Sequence, residues 1–212
     1  FSPDGRWIAF IRTVATDHVI RQKLSHGGPT DLYVMPVGGG EPVNLTADWD
    51  LQAGTPMWSP DGRHIYFVAG TGGERHLFRV PVRVGAGGDA DAGGATARGA
   101  GGRQAMAPGP VEQVTRGERR IAGLSIDRRF RRMAYLVGVH HAPPEVHVAE
   151  IDGRRERRLT SVHEEFTRDV ALSRAERIRY RSPDGTPIEG WLLFPHGYRP
   201  DGGPYPLIVN SH

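Results

Sequence analysis

Three short patterns contain the residue types that hydrolytic chemistry uses. The first, "SHGGPTDLYVM" (25–35), contains His-Gly-Gly-Pro, whose backbone N–H groups can stabilise an oxyanion when they follow a strand. No hydrophobic strand precedes His26, and a predicted strand follows Pro29 directly. Because such a motif counts only in its structural setting, we predict that His26 has no catalytic role.

The second pattern, "GLSID" (123–127), looks like half of a nucleophile elbow, Gly-x-Ser-x-Gly. Ser125 aligns with Ser2 and Ser59, which begin two copies of a repeat described below. The repeat therefore predicts a turn at Ser125 rather than a nucleophile. The sequence contains no complete Gly-x-Ser-x-Gly pentapeptide, so no member of a catalytic triad can be assigned in it.

The third pattern is a group of histidines near two glutamates, which could suggest a metal site. A hydrolytic zinc helix needs His-Glu-x-x-His, and "HEEFT" (163–167) lacks the second histidine. The chain has no cysteine, which excludes disulfides, a thiolate nucleophile and cysteine-based zinc sites. We predict no metal and no cofactor. The side chains of this group are His140, His141, His147, His163, Glu164 and Glu165.

Charge is concentrated in two arginine runs, "RRFRR" (128–132) and "RRERR" (154–158), although the net charge is only +3. Such runs could bind phosphate backbones, and binding of that kind would depend steeply on salt. Both runs lie in or beside predicted hairpin turns, and neither has the aromatic interleaving of a base-stacking platform. We therefore interpret them as solvated turns and predict no nucleic-acid partner.

Internal repeats organise most of the chain. "FSPDGRWIAFIR" (1–12) returns as "WSPDGRHIYFVAG" (58–70) and, in a diverged form, as "LSIDRRFRRMAYLVG" (124–138). A second phrase alternates with the first and ends each time in threonine, at "NLT" (44–46), "QVT" (113–115) and "RLT" (158–160). Asn44 is formally a glycosylation acceptor, but its place in this phrase favours a structural role.

Each Ser-Pro-Asp-Gly predicts a tight turn, because proline presets φ at the second position and glycine accepts the left-handed conformation that closes the turn. The strands that follow are apolar on both faces, which is typical of a strand covered by neighbouring sheets. The serines are 57 and 66 residues apart, longer than the roughly 40 to 50 of a four-stranded propeller blade. We attribute the excess to insertions at 13–30 and 84–110, the second a Gly/Ala-rich segment that predicts a mobile surface loop.

No window approaches 18 uninterrupted apolar residues, so the sequence predicts no membrane span. It leaves the compartment undecided, with the cytoplasm favoured, and leaves a homo-oligomer open. After Thr160 the repeat ends, and "IRYRSPDGTPIEGWLLFP" (178–195) predicts a further hairpin, followed by an apolar strand in "YPLIVNSH" (205–212). We therefore predict a mainly β fold with a partial propeller of about three blades over 1–170 and a second domain from 175 to 212.

The run from 159 to 212 resembles the junction between β-propeller and α/β-hydrolase domain in prolyl oligopeptidase family serine peptidases, especially acylaminoacyl-peptidase-like members. There, "SPDGTPIEGWLLFP" looks like the opening hairpin of the hydrolase and "YPLIVNSH" like the strand before the oxyanion loop. The resemblance implies that His212 is the first residue of that loop and that the Ser-Asp-His triad lies further downstream. The chain is then expected to be an inactive fragment.

For the parent protein the resemblance implies hydrolysis of short peptides or acyl-peptides through an acyl-enzyme, with a peptide substrate as partner. The alternative is a non-enzymatic, TolB-like propeller that binds a ligand, in which the segment after 160 is only an appended hairpin. Sequence beyond His212 would separate the two interpretations, since Gly-Gly-Pro and a later Gly-x-Ser-x-Gly favour the enzyme.

Overall fold

The computed structural model describes residues 1–13, 30–85 and 105–210, which form β-strands joined by turns and irregular segments, with almost no helix. Within them there is one short helix, α1 (Glu164–Asp169). The strands of the described residues are β1 (Trp7–Thr13), β2 (Thr30–Pro36), β3 (Val43–Asn44), β4 (Met57–Trp58), β5 (His64–Thr71), β6 (Glu74–Gly85), β7 (Ala105–Pro108), β8 (Glu112–Gln113), β9 (Arg120–Ile126), β10 (Arg132–Val139), β11 (Ala142–Glu150), β12 (Arg157–Arg158), β13 (Ala175–Arg181) and β14 (Pro187–Leu193).

The strands form three blade-like antiparallel sheets and one separate hairpin. Blade 1 contains β1, β2 and β3; blade 2 contains β4, β5, β6 and β8; blade 3 contains β9, β10, β11 and β12. A single parallel bridge between Arg75 and Arg120 joins blade 2 to blade 3. Strands β13 and β14 pair only with each other. The mainly β, propeller-like fold predicted from the sequence is therefore confirmed.

The Ser-Pro-Asp-Gly turns of blades 1 and 2 have the same hydrogen bonds. In blade 2 the Ser59 hydroxyl donates to Asp61 at 2.6 Å and accepts the His64 N–H at 2.9 Å, while the Gly62 N–H donates to the Ser59 carbonyl. Gly62 has φ +67°, a conformation that costs a residue with a Cβ about 1–2 kcal/mol. The repeat therefore fixes the turn through a serine, an aspartate and a glycine.

In blade 3 the turn begins two residues later than the sequence alignment predicts, at Asp127 instead of Ser125. Ser125 lies in β9, opposite Ala134, and not in the turn. Asp127 takes the place of the repeat serine, since its N–H donates to the Arg132 carbonyl and its carboxylate accepts the Arg132 N–H at 2.8 Å. Phe130, with φ +52°, takes the place of the glycine. Ser125 is therefore not the nucleophile of an elbow. The reason is that it lies in a strand, and not that it lies in a repeat turn as the alignment predicted.

Blade 2 is covered on both faces, as its apolar sequence predicts. Alternate β5 side chains, Ile65 and Phe67, pack in one cluster with blade 1, whereas Tyr66 packs in a second cluster with blade 3. Phe67 lies against Trp49, with ring centroids 5.3 Å apart, and Tyr66 meets Phe130 edge-to-face at 5.2 Å. Because β5 side chains alternate between its two faces, blade 2 packs against blade 1 through one cluster and against blade 3 through the other.

The threonine that ends each repeat joins the outer strand to its neighbour. The hydroxyls of Thr46, Thr115 and Thr160 accept the backbone N–H groups of Leu32, Leu77 and Val146, at 3.0, 2.9 and 2.9 Å. Asn44 donates to Asp31 at 2.9 Å and is half-buried. This confirms the structural role predicted for the "NLT", "QVT" and "RLT" phrases.

Two local predictions are wrong. The 84–110 insertion is not all loop, because β7 pairs with the far end of β6 at Val82–Gly85; residues 86–104 lie outside the described part. The strand predicted in "YPLIVNSH" is not formed over 205–210, where Leu207, Ile208 and Val209 are exposed. A strand requires a hydrogen-bonded neighbour, and the described residues provide none for this segment.

Among the described residues there is also no helix long and apolar enough to cross a membrane.

Candidate functional site

The β13–β14 hairpin is built on a third Ser-Pro-Asp-Gly turn, at 182–185. The Ser182 hydroxyl donates to Asp184, and the Gly185 N–H donates to the Ser182 carbonyl at 2.8 Å. The Ser182 N–H donates to the Thr186 carbonyl, one residue closer than in blades 1 and 2. The Ser182 hydroxyl, followed by the Thr186 N–H, lowers the pKa of Asp184 to about 2. The predicted hairpin at 178–195 is confirmed.

Strand pairing divides the hairpin into two faces. Arg177 lies opposite Trp191 and Arg179 opposite Glu189, so these four side chains share one face. The other face is apolar and includes Ile178 and Tyr180, which are 39% and 57% exposed. The polar face is the one that meets the propeller.

Arg177 makes the main polar contact between the hairpin and blade 2. Its guanidinium donates to the Gly72 carbonyl at 3.2 Å and lies 3.5 Å from a carboxylate oxygen of Glu74. It also lies 3.7 Å from Glu189 and 5.8 Å from the centre of the Trp191 ring. One side chain therefore joins the β5–β6 turn to both strands of the hairpin.

Trp191 completes this surface by packing on two turns from different blades. A Cβ on Gly73 would stand 2.5 Å from the indole Nε1, and Gly73 has φ +77°, so only glycine suits this position. The His140 ring, in the β10–β11 turn of blade 3, lies 4.0 Å from the Trp191 ring between centroids. We call the set Gly72, Gly73, Glu74, His140, Arg177 and Trp191 the junction contact.

A cleft of about 620 Å³ opens beside the junction contact, between the hairpin and blade 3. Arg174 lines it and lies 5.7 Å from the centre of the Phe194 ring. The lining is largely polar and carries both positive and negative side chains. Its main side chains are Glu118, His140, His141, Arg174, Glu176 and Trp191.

Behind the junction contact, a carboxylate, an imidazole and a hydroxyl resemble a hydrolytic triad. His76 lies 2.9 Å from Glu74 through Nε2 and 3.3 Å from the Thr115 hydroxyl through Nδ1. His76 and Thr115 are buried, and Thr115 already accepts the Leu77 N–H. A nucleophile must reach its substrate, so this arrangement is structural.

The other two blades support that interpretation, because each places a carboxylate where blade 2 has His76. Asp31 accepts from the Thr46 hydroxyl and Glu145 from the Thr160 hydroxyl. Glu145 also accepts the N–H groups of Val162 and His163 where the chain leaves blade 3. The Thr160 hydroxyl, followed by these two N–H groups, lowers the pKa of Glu145 from 4.5 to about 2.

The structure does not bring the predicted histidine candidates together. His147 binds Glu156, which also pairs with Arg119, and His163 lies 3.3 Å from Glu145. His140 and His141 lie at the cleft. Burial of Glu156 raises its pKa, but the Arg119 guanidinium together with the Tyr135 hydroxyl and His147 outweighs burial, so the pKa of Glu156 is lowered. Among the described residues, no three His, Asp or Glu side chains form a group that could hold a metal ion.

Two sequence candidates, His26 and His212, lie outside the described residues. The arginine runs occupy the β9–β10 and β11–β12 turns, as predicted. Arg154 and Arg155 pair with Glu150, whereas no described carboxylate pairs with Arg128 or Arg129. The solvated-turn interpretation of those two side chains stays a prediction.

Sequence reasoning missed the junction contact. Arg177 and Trp191 are residues of a hairpin whose partner lies about a hundred positions away, and no local pattern reveals that partner. Two signals could have pointed to it. Gly72-Gly73 predicts a turn open to close approach, and Arg177, Arg179, Glu189 and Trp191 share one face of the predicted hairpin.

No protein-family model matches this chain. Among curated proteins, the uncharacterized peptidase YuxL of Bacillus subtilis (strain 168) is 37% identical over 60 residues, which are 28% of this chain and 9% of that protein. Solved structures that share its fold include two peptidases. The acylaminoacyl peptidase of Pyrococcus horikoshii matches 80% of this chain with a TM-score of 0.52 at 19% identity, and the AtxE2 isopeptidase in its apo form matches 92% with a TM-score of 0.57 at 16% identity.

This chain covers 22% of the acylaminoacyl peptidase and 25% of the isopeptidase, so it spans a quarter or less of each of these proteins. At such identities the likeness is one of fold. The resemblance predicted from the repeats and from the 159–212 run is confirmed at that level: this chain folds like the propeller-bearing peptidases of the prolyl oligopeptidase family.

Proposed function

We propose that this chain is the junction of a serine peptidase, in which a β-propeller (1–170) leads into the start of an α/β-hydrolase domain (175–212). The whole protein hydrolyses short peptides or acyl-peptides through an acyl-enzyme. His212 begins its oxyanion loop, and the serine, aspartate and histidine of the triad lie beyond this chain. None of the described residues is assigned to the triad.

The observation that carries the proposal is the place of the β13–β14 hairpin. It follows blade 3 after the connection 161–174, repeats the Ser-Pro-Asp-Gly turn, and turns its polar face to blades 2 and 3. Its other face remains apolar and partly exposed, which is typical of an edge that packs against more protein. An appended hairpin that served no further domain would not need such a face.

In this proposal the blades restrict access to the active site, and the cleft beside the hairpin lies on the substrate's path. The cleft offers Arg174 and two histidines to carboxylates and backbone carbonyls, and Glu118 and Glu176 to ammonium groups. A peptide carries all of these groups, so the lining suits a peptide better than an apolar ligand.

The test is to treat the full-length protein that contains this chain with a fluorophosphonate probe, which labels activated serines. We expect one labelled serine within a Gly-x-Ser-x-Gly sequence outside residues 1–212, and loss of both labelling and peptide hydrolysis when it is replaced by alanine. A full-length protein that neither labels nor cleaves peptides would refute the proposal and favour the non-enzymatic, TolB-like propeller.

A further inference from the structure

We infer that Arg177 is a positioning residue: through the junction contact it fixes where the β13–β14 hairpin stands over blades 2 and 3. The effect of Arg177 on catalysis rests on the proposed function, in which the hairpin is the first element of the peptidase domain. The domain's placement over the propeller would follow from this side chain.

The connection between the two regions cannot set that placement by itself. Residues 161–174 contain no buried side chain, and the six-residue helix α1 within them buries none either. A short helix without packing is not a rigid spacer. The orientation of the hairpin must therefore come from its contacts with the blades.

Arg177 provides contacts on both sides of the boundary. It binds the Gly72 carbonyl and Glu74 on blade 2, and Glu189 and the Trp191 ring on the hairpin. Its side chain is 25% exposed and that of Glu74 14% exposed, so solvent screens the pair less than it would on an open surface. The planar guanidinium donates in several fixed directions at once, which a single ammonium group cannot do.

The blade side of the contact is fixed to the core. The second carboxylate oxygen of Glu74 binds His76, which is fully buried, and His76 in turn contacts Thr115. Glu74 cannot follow the hairpin without breaking that chain of contacts. The anchor for Arg177 is therefore rigid, which a positioning role requires.

Arg179 is a matched control. It lies two residues further along β13 on the same face and pairs with Glu189 at 3.2 Å, but it has no ion pair or hydrogen bond with a described blade residue. Replacing it removes a cation and a hairpin ion pair and leaves the junction contact intact.

The experiment measures the distance between blade and hairpin in the full-length protein. Cysteines replace Arg128, in the β9–β10 turn, and Arg181, at the end of β13; both positions are exposed, and the chain has no other cysteine. Cysteines elsewhere in the protein are replaced. Spin labels on this pair give the distance distribution by double electron–electron resonance, with thermal melting to confirm that each variant is folded.

We expect one narrow distribution for the parent and for Arg179→Ala, and a broad distribution for Arg177→Ala. Gly73→Ala should broaden it too, because the added Cβ displaces Trp191. Arg177→Lys keeps the charge but lacks the planar guanidinium, so we expect a distribution narrower than that of Arg177→Ala and broader than that of the parent. In a parallel assay without labels, Arg177→Ala should lower kcat/KM for a peptide substrate by about tenfold or more, since small misplacement is costly to catalysis.

Unchanged distances in both Arg177→Ala and Gly73→Ala would overturn the inference. A broadened distance with unchanged kcat/KM would overturn the catalytic consequence and leave the proposed function standing. A parent protein that never reacts with the fluorophosphonate probe would refute the proposed function, while the distances would still decide whether Arg177 positions the hairpin.

Discussion

The blades and the segment after residue 160 share the same turn motif but are stabilised differently. In the blades, the buried side chains of the described residues form two clusters that meet in blade 2. In the segment 161–210, no side chain is buried. The hairpin there is held by its own ladder and by the junction contact, which is mostly polar. A turn motif therefore determines a hairpin, but only packing of its faces makes that hairpin part of a core.

Core truncation should give the largest difference between the two regions. Phe67→Ala removes a fully buried ring that packs against Trp49 and Phe78, and we expect a loss of about 3–5 kcal/mol in the free energy of unfolding. Leu193→Ala, at a position 62% exposed, should change it by less than about 0.5 kcal/mol. Denaturant unfolding measures both. Equal losses would mean that the hairpin has a core of its own in the whole protein.

Removing the repeat threonine should cost less. Thr115→Val leaves the Leu77 N–H and a ring nitrogen of His76 without their partner inside the blade, and we expect a loss of about 1–3 kcal/mol. Thr167→Val is the matched change in α1, where the exposed hydroxyl only contacts carbonyls of its own turn, and it should be nearly neutral. A neutral Thr115→Val would contradict the structural role given to the phrase "QVT".

The same substitution in the turn glycine of each region allows the stabilities of the two regions to be compared directly. Gly62 and Gly185 have φ +67° and +85°, and a Cβ at either would meet no atom closer than 3.9 Å. Replacing either with alanine should therefore cost only backbone strain, about 1–2 kcal/mol. If the hairpin unfolds separately from the blades, Gly62→Ala will lower the main melting transition and Gly185→Ala will not. The two melting curves would coincide if the regions unfold as one unit.

The smallest expected effect is a pH dependence at the exit from blade 3. The folded pKa of Glu145 is about 2, against 4.5 ordinarily, so its ionised form contributes stability above pH 4.5 that is lost as the pH falls towards 2. Glu145→Gln should remove this contribution, so that the detachment of residues 160–163 from blade 3 no longer depends on pH in this range. Amide hydrogen exchange of Val162 and His163 between pH 5 and 2.5 would measure it, with the variant as reference. Identical pH profiles would rule out this role for Glu145.

Local chemistry was enough to predict most of the blades. The alternation of apolar residues in β5 and the Ser-Pro-Asp-Gly turns depend on neighbours within a few positions, so their sequence carries the information. The turn at Asp127 was misplaced because Phe130 adopts a left-handed conformation that sequence assigns to glycine, and its packing on Tyr66 from another blade helps to hold it there. A tertiary contact overrode a local preference at that position.

The sequence by itself determined the β-hairpins, their turns and the threonine phrases, because hydrogen bonds between near neighbours decide them. Only the tertiary structure decided that Glu74, His76 and Thr115 form an internal support rather than a reactive site, and that Arg177 reaches Glu74 across 103 positions of the chain. Burial separates a catalytic hydroxyl from a structural one, and long-range proximity defines the junction contact. Both are properties of the assembled sheets, which no short stretch of sequence contains.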